Sequence, residues 1–214
     1  MKPRPRWPIA LAVALLALAP TCFAEHWRNH FDADAAMRPP AFFDFQVLGR
    51  DSRANWLVLT DHNPPSVPNQ LTQTVASRPD GSIAVALRRG VNLQDGSVSV
   101  ALKRLPSRAG LVLRMANDKD FLLLLLDGHT GEARLAAYRD GAESELARGR
   151  AAIERDWGIL AVTLSGGTIS ARWNQKPLLQ GTDPRPAAGR VGVATEGAGN
   201  ASFDELVIDT EETR

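Results

Sequence analysis

Cysteine occurs once in the 214 residues, at Cys22, tyrosine once, at Tyr138, and aromatic side chains make up only 6% of the chain. A scaffold stapled by disulfides or built on cysteine-bound zinc is thereby excluded. Net charge is almost absent as well, with 25 lysines and arginines against 24 acidic residues. No basic stripe interleaved with aromatics and no polybasic run occurs. Those absences argue against nucleic acid and against an anionic membrane surface as partners. No apolar stretch reaches the roughly 20 residues of a spanning helix.

What is present begins with MKPRPRWPIALAVALLALAPTCFA, in which Lys2, Arg4 and Arg6 precede an apolar core from Ile9 to Leu18. This is the pattern of a secretory signal peptide ending at Ala24. A retained anchor would need about twice that apolar length, and Ala19-Pro20-Thr21-Cys22 is a poor lipidation signal. Cleavage removes the one cysteine and leaves 190 residues, with 22 basic against 24 acidic side chains, a formal net charge of −2. The expected location is secreted or periplasmic, with no stable membrane span after cleavage. The expected organisation is a signal over 1–24, a polar leader over 25–41, one β domain over 42–209 and an acidic tail over 210–214.

Within the leader, Trp27 and Phe31 stand four apart, as do His26 and His30, which suggests one short turn of helix against the domain; His26 and His30 have metal-ligand spacing on such a helix but no further ligand nearby. From Phe42 onward, short alternating segments are separated by NDKD, DGHTGE, RDGAE and SGG, the rhythm of an antiparallel sheet in a sandwich or barrel. Val98, Val100 and Leu102 alternate with Ser97, Ser99 and Lys103, so that strand has one wet face. FLLLLL, residues 121–126, lacks alternation, and its length favours a central strand covered on both faces. Residues 143–154 pass as helix by composition but are interrupted at Gly149, so they read as a short strand and a loop. Trp157–Leu164 and Thr168–Trp173 form a hairpin around Ser165-Gly166-Gly167.

Taken together, Phe43-Asp44, Trp56, PPSVPNQLTQT, DGSVSVALKRL, AGLVLRMANDKDFLL, the Trp157 strand, ISARWNQKPL and GRVGVATEGAGNASFDELVI resemble the concanavalin A-like, laminin-G-type jelly-roll domains. They are most similar to the 3-keto-disaccharide hydrolase-like domains of secreted bacterial proteins. The resemblance implies an all-β, two-sheet antiparallel jelly-roll sandwich with adjacent first and last strands, and a ligand on the concave sheet or its rim loops around His62, His129 and Gly197. It also implies a calcium ion beside the joined terminal strands, where Asp44 and Asp204 would meet; no other cofactor is expected. Its motifs specify a fold far better than an activity.

Strand parity places Arg114, Arg134, Tyr138, Arg172 and Asn174 on one polar face, where guanidiniums, a ring and amides would bind a glycan, preferably an acidic one. The bland alternative is a solvated sheet face. Leu122 to Leu126 would make the centre of such a groove greasy, so it is either filled or matched to a partly apolar ligand. Trp56, Trp157 and Trp173 are stacking candidates, although tryptophan on an alternating strand is more often packing. No Glu-x-Asp-x-x-Glu strand and no Gly-x-Ser-x-Gly elbow is present. The pairs Asp118 with Asp120 and Glu143 with Glu145 lie at turns. The expected function is therefore a non-catalytic module that binds a carbohydrate or another cell-envelope component, the alternatives being a glycoside-type hydrolase and a structural or protein-interaction domain.

Overall fold

The computed structural model describes residues 24–49, 53–76, 78–103, 108–153 and 156–210. Of the expected signal over 1–24, residues 1–23 lie outside them, as do residues 211–214 of the expected acidic tail. No helix occurs among the described residues. The strands are β1 His26–Asn29, β2 Phe43–Leu48, β3 Trp56–Thr60, β4 Asn69–Gln73 and β5 Ile83–Arg88. They continue as β6 Gly96–Lys103, β7 Arg108–Met115, β8 Phe121–Asp127, β9 Glu132–Arg139 and β10 Ala142–Arg150. The last five are β11 Trp157–Ser165, β12 Thr168–Trp173, β13 Lys176–Thr182, β14 Arg190–Glu196 and β15 Ala201–Thr210.

An eight-stranded sheet runs β13-β12-β11-β6-β15-β4-β3, with β1 also on β15, and a seven-stranded sheet runs β10-β9-β8-β7-β14-β5-β2. All the pairings are antiparallel. Alternation decides which face each strand buries. Val98, Val100 and Leu102 of β6, with Leu160 and Val162 of β11, pack against Leu111 and Leu113 of β7 and Leu122 and Leu124 of β8. Burying a side chain of this size contributes about 1.5–3 kcal/mol, so with no disulfide this shared layer holds the two sheets together. β8 is central and buried on both sides: Leu122, Leu124 and Leu126 face the other sheet, while Phe121, Leu123 and Leu125 join a second cluster with Val85, Leu87 and Val112. A strand buried on both faces has no reason to alternate.

The leader departs from expectation. Residues 26–29 form a strand on β15, with His26 opposite Asp209 and Asn29 opposite Leu206, where a helical turn was expected. Four residues are too few for a period of 2 to be distinguished from one of 3.6. Phe31 is 2% exposed and tilts against Phe43 at 5.7 Å between ring centroids, so the leader is anchored in the core. The adjacency of first and last strands is thus met by β1, while β2 pairs β5 in the opposite sheet. Residues 142–150 form one continuous strand with a bulge between Glu145 and Ala147. That is longer than expected, because the bulge and Gly149 bend the strand without ending its ladder.

Candidate functional site

The five residues predicted to share one face do not. Arg114, Arg134 and Tyr138 belong to β7 and β9 of one sheet, while Arg172 and Asn174 belong to β12 and its turn in the other. Strand periodicity gives parity within a strand and carries no information on which sheet that strand joins.

Arg114 is 3% exposed and has φ 49°, and the register of β14 against β7 shifts between Arg190 and Gly192. This bulge resets the parity of β7, so Met115 turns to the second cluster with Val112 while Leu113 stays in the inter-sheet core. Gly189 permits it, since a Cβ there would lie 2.3 Å from the Arg114 carbonyl carbon. The guanidinium donates to Gln94 O at 2.9 Å, Gly166 O at 2.7 Å, Asp183 at 3.2 Å and Asp95 at 3.3 Å. Asp183 also accepts from Arg139 at 2.8 Å and from Arg185 N at 3.0 Å. Burial opposes its ionisation, yet these donors hold the Asp183 carboxyl below its ordinary value. Arg114 is a clamp between the sheets and cannot meet a ligand.

Arg134 and Tyr138 remain neighbours on the outer face of the seven-stranded sheet. The Tyr138 hydroxyl donates to Glu143 at 2.6 Å, and its ring stacks on Phe121 at 4.3 Å and 11°. Burial first, then the Glu143 carboxylate, raises the phenol above its ordinary value. Arg134 is held between Glu143 and Glu196. A cavity of about 260 Å³ opens beside Arg134, where Arg108 faces Glu196 at 3.4 Å and Arg148 pairs with Glu145 at 2.6 Å. Every guanidinium there is already neutralised. The middle of this face is apolar and buried, with Leu87, Val112 and Leu123 at most 1% exposed, and a cavity of about 570 Å³ opens beside it over Leu48, Leu87 and Met115.

Arg172 and Asn174 line a groove of about 1030 Å³ at one end of the eight-stranded sheet. One wall is the β12–β13 turn, whose central residues Asn174 and Gln175 both have positive φ, 47° and 68°, as a two-residue hairpin requires. Ile159 N donates to Asn174 Oδ1 at 2.8 Å, which leaves the amide NH2 of Asn174 as a donor. Arg172 donates to Gln175 O at 3.1 Å. Trp173 lies below, its indole N–H on Ala152 O at 3.2 Å, and its ring fits because Gly158 has no Cβ, which would stand 2.1 Å from it. Trp157 is partly exposed beside it and carries Lys103 Nζ over its ring at 5.8 Å. Arg150 reaches the groove from the end of β10, and Ile159 is 53% exposed at its floor. Among the described residues no carboxylate is in the lining. Trp157, Arg150 and Lys176 were not grouped with Arg172 by sequence; the NQKP turn was the available signal, since it returns Lys176 opposite Trp173.

The expected calcium pair is separated. Asp44 is on β2, held by Arg89 at 2.6 Å and Arg190 at 2.5 Å, and Asp204 is on β15 in the other sheet. The hydrogen bond from Arg89 first, then that from Arg190, keeps the Asp44 carboxyl below its ordinary value. Among the described residues no three His, Cys, Asp or Glu side chains are grouped to hold a metal ion. His26 bonds Asp209 at 2.5 Å and His30 bonds Asp32 at 3.0 Å, so the two imidazoles serve different carboxylates. Ser66 Oγ donates to the same Asp32 oxygen that His30 bonds, at 2.5 Å. The aspartate therefore lies between hydroxyl and imidazole, and His30 is not placed to take the serine proton.

No family model matches the sequence, and no curated protein matches it. Among solved structures the chain is similar to the carbohydrate-binding module CBM66 from Bacillus subtilis, at 14% identity and a TM-score of 0.56, over 79% of this chain and 95% of that one. It is similar to the exoplasmic domain of VIP36 in its form bound to Ca2+ and Man3GlcNAc, at 19% identity and 0.55, over 81% and 85%. A Bacillus subtilis protein of unknown function with a galectin-like fold aligns at 12% identity and 0.58, over 88% and 96%. The chain is a concanavalin A-like jelly-roll sandwich.

Proposed function

We propose that this protein is a secreted or periplasmic carbohydrate-binding module without catalytic activity, and that the groove between Trp157 and the β12–β13 turn is its binding site. The observation that carries the reading is the make-up of that groove: a partly exposed indole, free amide and guanidinium donors, and no carboxylate among the described residues. Saccharides present hydroxyls to planar polar groups and C–H faces to rings, which is what such a lining offers. Glycoside hydrolysis needs two carboxyl groups flanking the bond, and this lining supplies neither. The lectin and carbohydrate-binding neighbours support a glycan partner through their shared fold.

A glycan array probed with the mature protein tests the reading, beside release of reducing sugar from the same panel. Specific glycan binding without sugar release is expected, and Trp157→Ala should weaken it by about 1–3 kcal/mol, the size of a ring contact. Binding of Trp157→Ala with unreduced affinity overturns the groove as the site, and turnover of any array member overturns the non-catalytic assignment.

A further inference from the structure

We infer that the saccharide held in this groove is anionic, with its carboxylate or sulfate taken by Arg172, Lys176 and Arg150; the inference rests on the groove being a glycan site. The distinction lies in how arginines are partnered across the molecule. Arg108 and Arg134 share Glu196, Arg148 has Glu145, Arg190 has Asp44, and Arg114 and Arg139 share Asp183. Arg38 and Arg185 lack a carboxylate ion pair among the described residues, but the groove gathers three such cations. Arg150, Arg172 and Lys176 are all exposed, and none is paired with a carboxylate among the described residues. Three positive charges without a counter-charge among the described residues give this concavity a positive potential on a chain that is close to neutral as a whole.

Their placement follows from the fold. The turn of Asn174 and Gln175 brings Lys176 back opposite Trp173, one position on from Arg172, and the end of β10 lies so close to β13 that a Cβ on Gly149 would stand 2.2 Å from Leu178 O, which delivers Arg150. The Gln175 carbonyl holds one terminal nitrogen of Arg172, leaving Nε and the other for a forked contact to a planar anion. The indole and the amides of Asn174 and Gln175 supply what an inorganic anion or an acidic peptide would leave unused, which favours a sugar acid or sulfated sugar.

Isothermal titration of the mature protein with tetragalacturonate, a heparin-derived tetrasaccharide, xylotetraose and tetraglutamate tests this. The first two separate carboxylate from sulfate, the third removes charge and the fourth removes the sugar. One of the two anionic saccharides should bind at least roughly tenfold more tightly than xylotetraose and tetraglutamate, and its affinity should fall roughly tenfold between about 50 and 500 mM NaCl. Arg172→Gln with Lys176→Gln should remove that advantage, Arg172→Lys should retain part of it, and circular dichroism should be unchanged because these side chains are exposed. Equal, salt-insensitive binding of xylotetraose, unaffected by the double substitution, overturns the anionic assignment while the glycan reading stands. Tetraglutamate binding as tightly as either saccharide overturns the sugar acid in favour of a peptide. Failure of all four, together with an empty glycan array, overturns both.

Discussion

Asp204 is fully buried on β15, where Ser66 N donates to it at 2.7 Å, and Glu205 N, itself at φ 50°, donates at the same distance. Two backbone donors do not offset the loss of water, and desolvation first, then the charges of Glu205 and Asp32, push its carboxyl up to about 6 from 3.8. A carboxyl whose pKa is raised on folding binds its proton more tightly in the native state. Its contribution to stability is therefore most favourable below about pH 4, declines as pH rises to 6 and is flat above, a change of about 3 kcal/mol. Carboxylates such as Asp44, Asp61 and Asp183, whose values are lowered, act in the opposite direction at lower pH. Urea unfolding of Asp204→Asn between pH 4 and 7 should show this decline removed relative to the natural chain. An unaltered difference between pH 4 and 6 would show that Asp204 titrates normally.

A single bulge in β7 decides the role of Arg114. In a regular strand it would have continued the parity of Val112 and pointed outward; with φ 49° and Gly189 packed against its carbonyl, it turns to the β11–β12 hairpin and Asp183. Removing one partner from a buried ionic cluster leaves the others uncompensated and costs about 3–5 kcal/mol. Arg114→Ala should lower the urea midpoint accordingly, and any loss of ligand binding should follow the fraction unfolded. Arg172→Ala, at an exposed position, should leave stability within about 0.5 kcal/mol. Equal stability of the two variants would contradict the clamp.

Across the whole molecule, β1 closes the eight-stranded sheet beside the C-terminal half of β15, while β4 covers the other half. It brings the ion pair of Arg28 with Glu205 at 2.6 Å, and Trp27 stacks under the Arg88 guanidinium at 4.9 Å. Deleting residues 25–29 uncovers an edge of the last strand. At about 0.2–1 kcal/mol for each of four cross-strand positions, the loss is roughly 1–4 kcal/mol. Thermal unfolding of the shortened protein should remain one transition at a lower Tm, since Phe31 and the inter-sheet core are retained. An unchanged Tm would return the segment to the status of a loose leader.

The sequence by itself determined the class of fold. Alternation in β6, β11 and β12, glycine-containing turns and an unbroken leucine run are local signals, and each follows from one strand having one or two buried faces. It was equally sufficient for the absence of disulfides and for naming Arg172 and Asn174 as ligand candidates. Tertiary structure alone decided which residues are neighbours. Parity is a property of one strand, while the allocation of β9 and β12 to opposite sheets, the pairing of β1 with β15 and the separation of Asp44 from Asp204 depend on long-range strand order, which no local period encodes. The groove belongs to that second kind. Arg150 joins Trp157, Arg172 and Lys176 only because β10 packs against β13, and a residue pattern read along the chain does not encode such a contact.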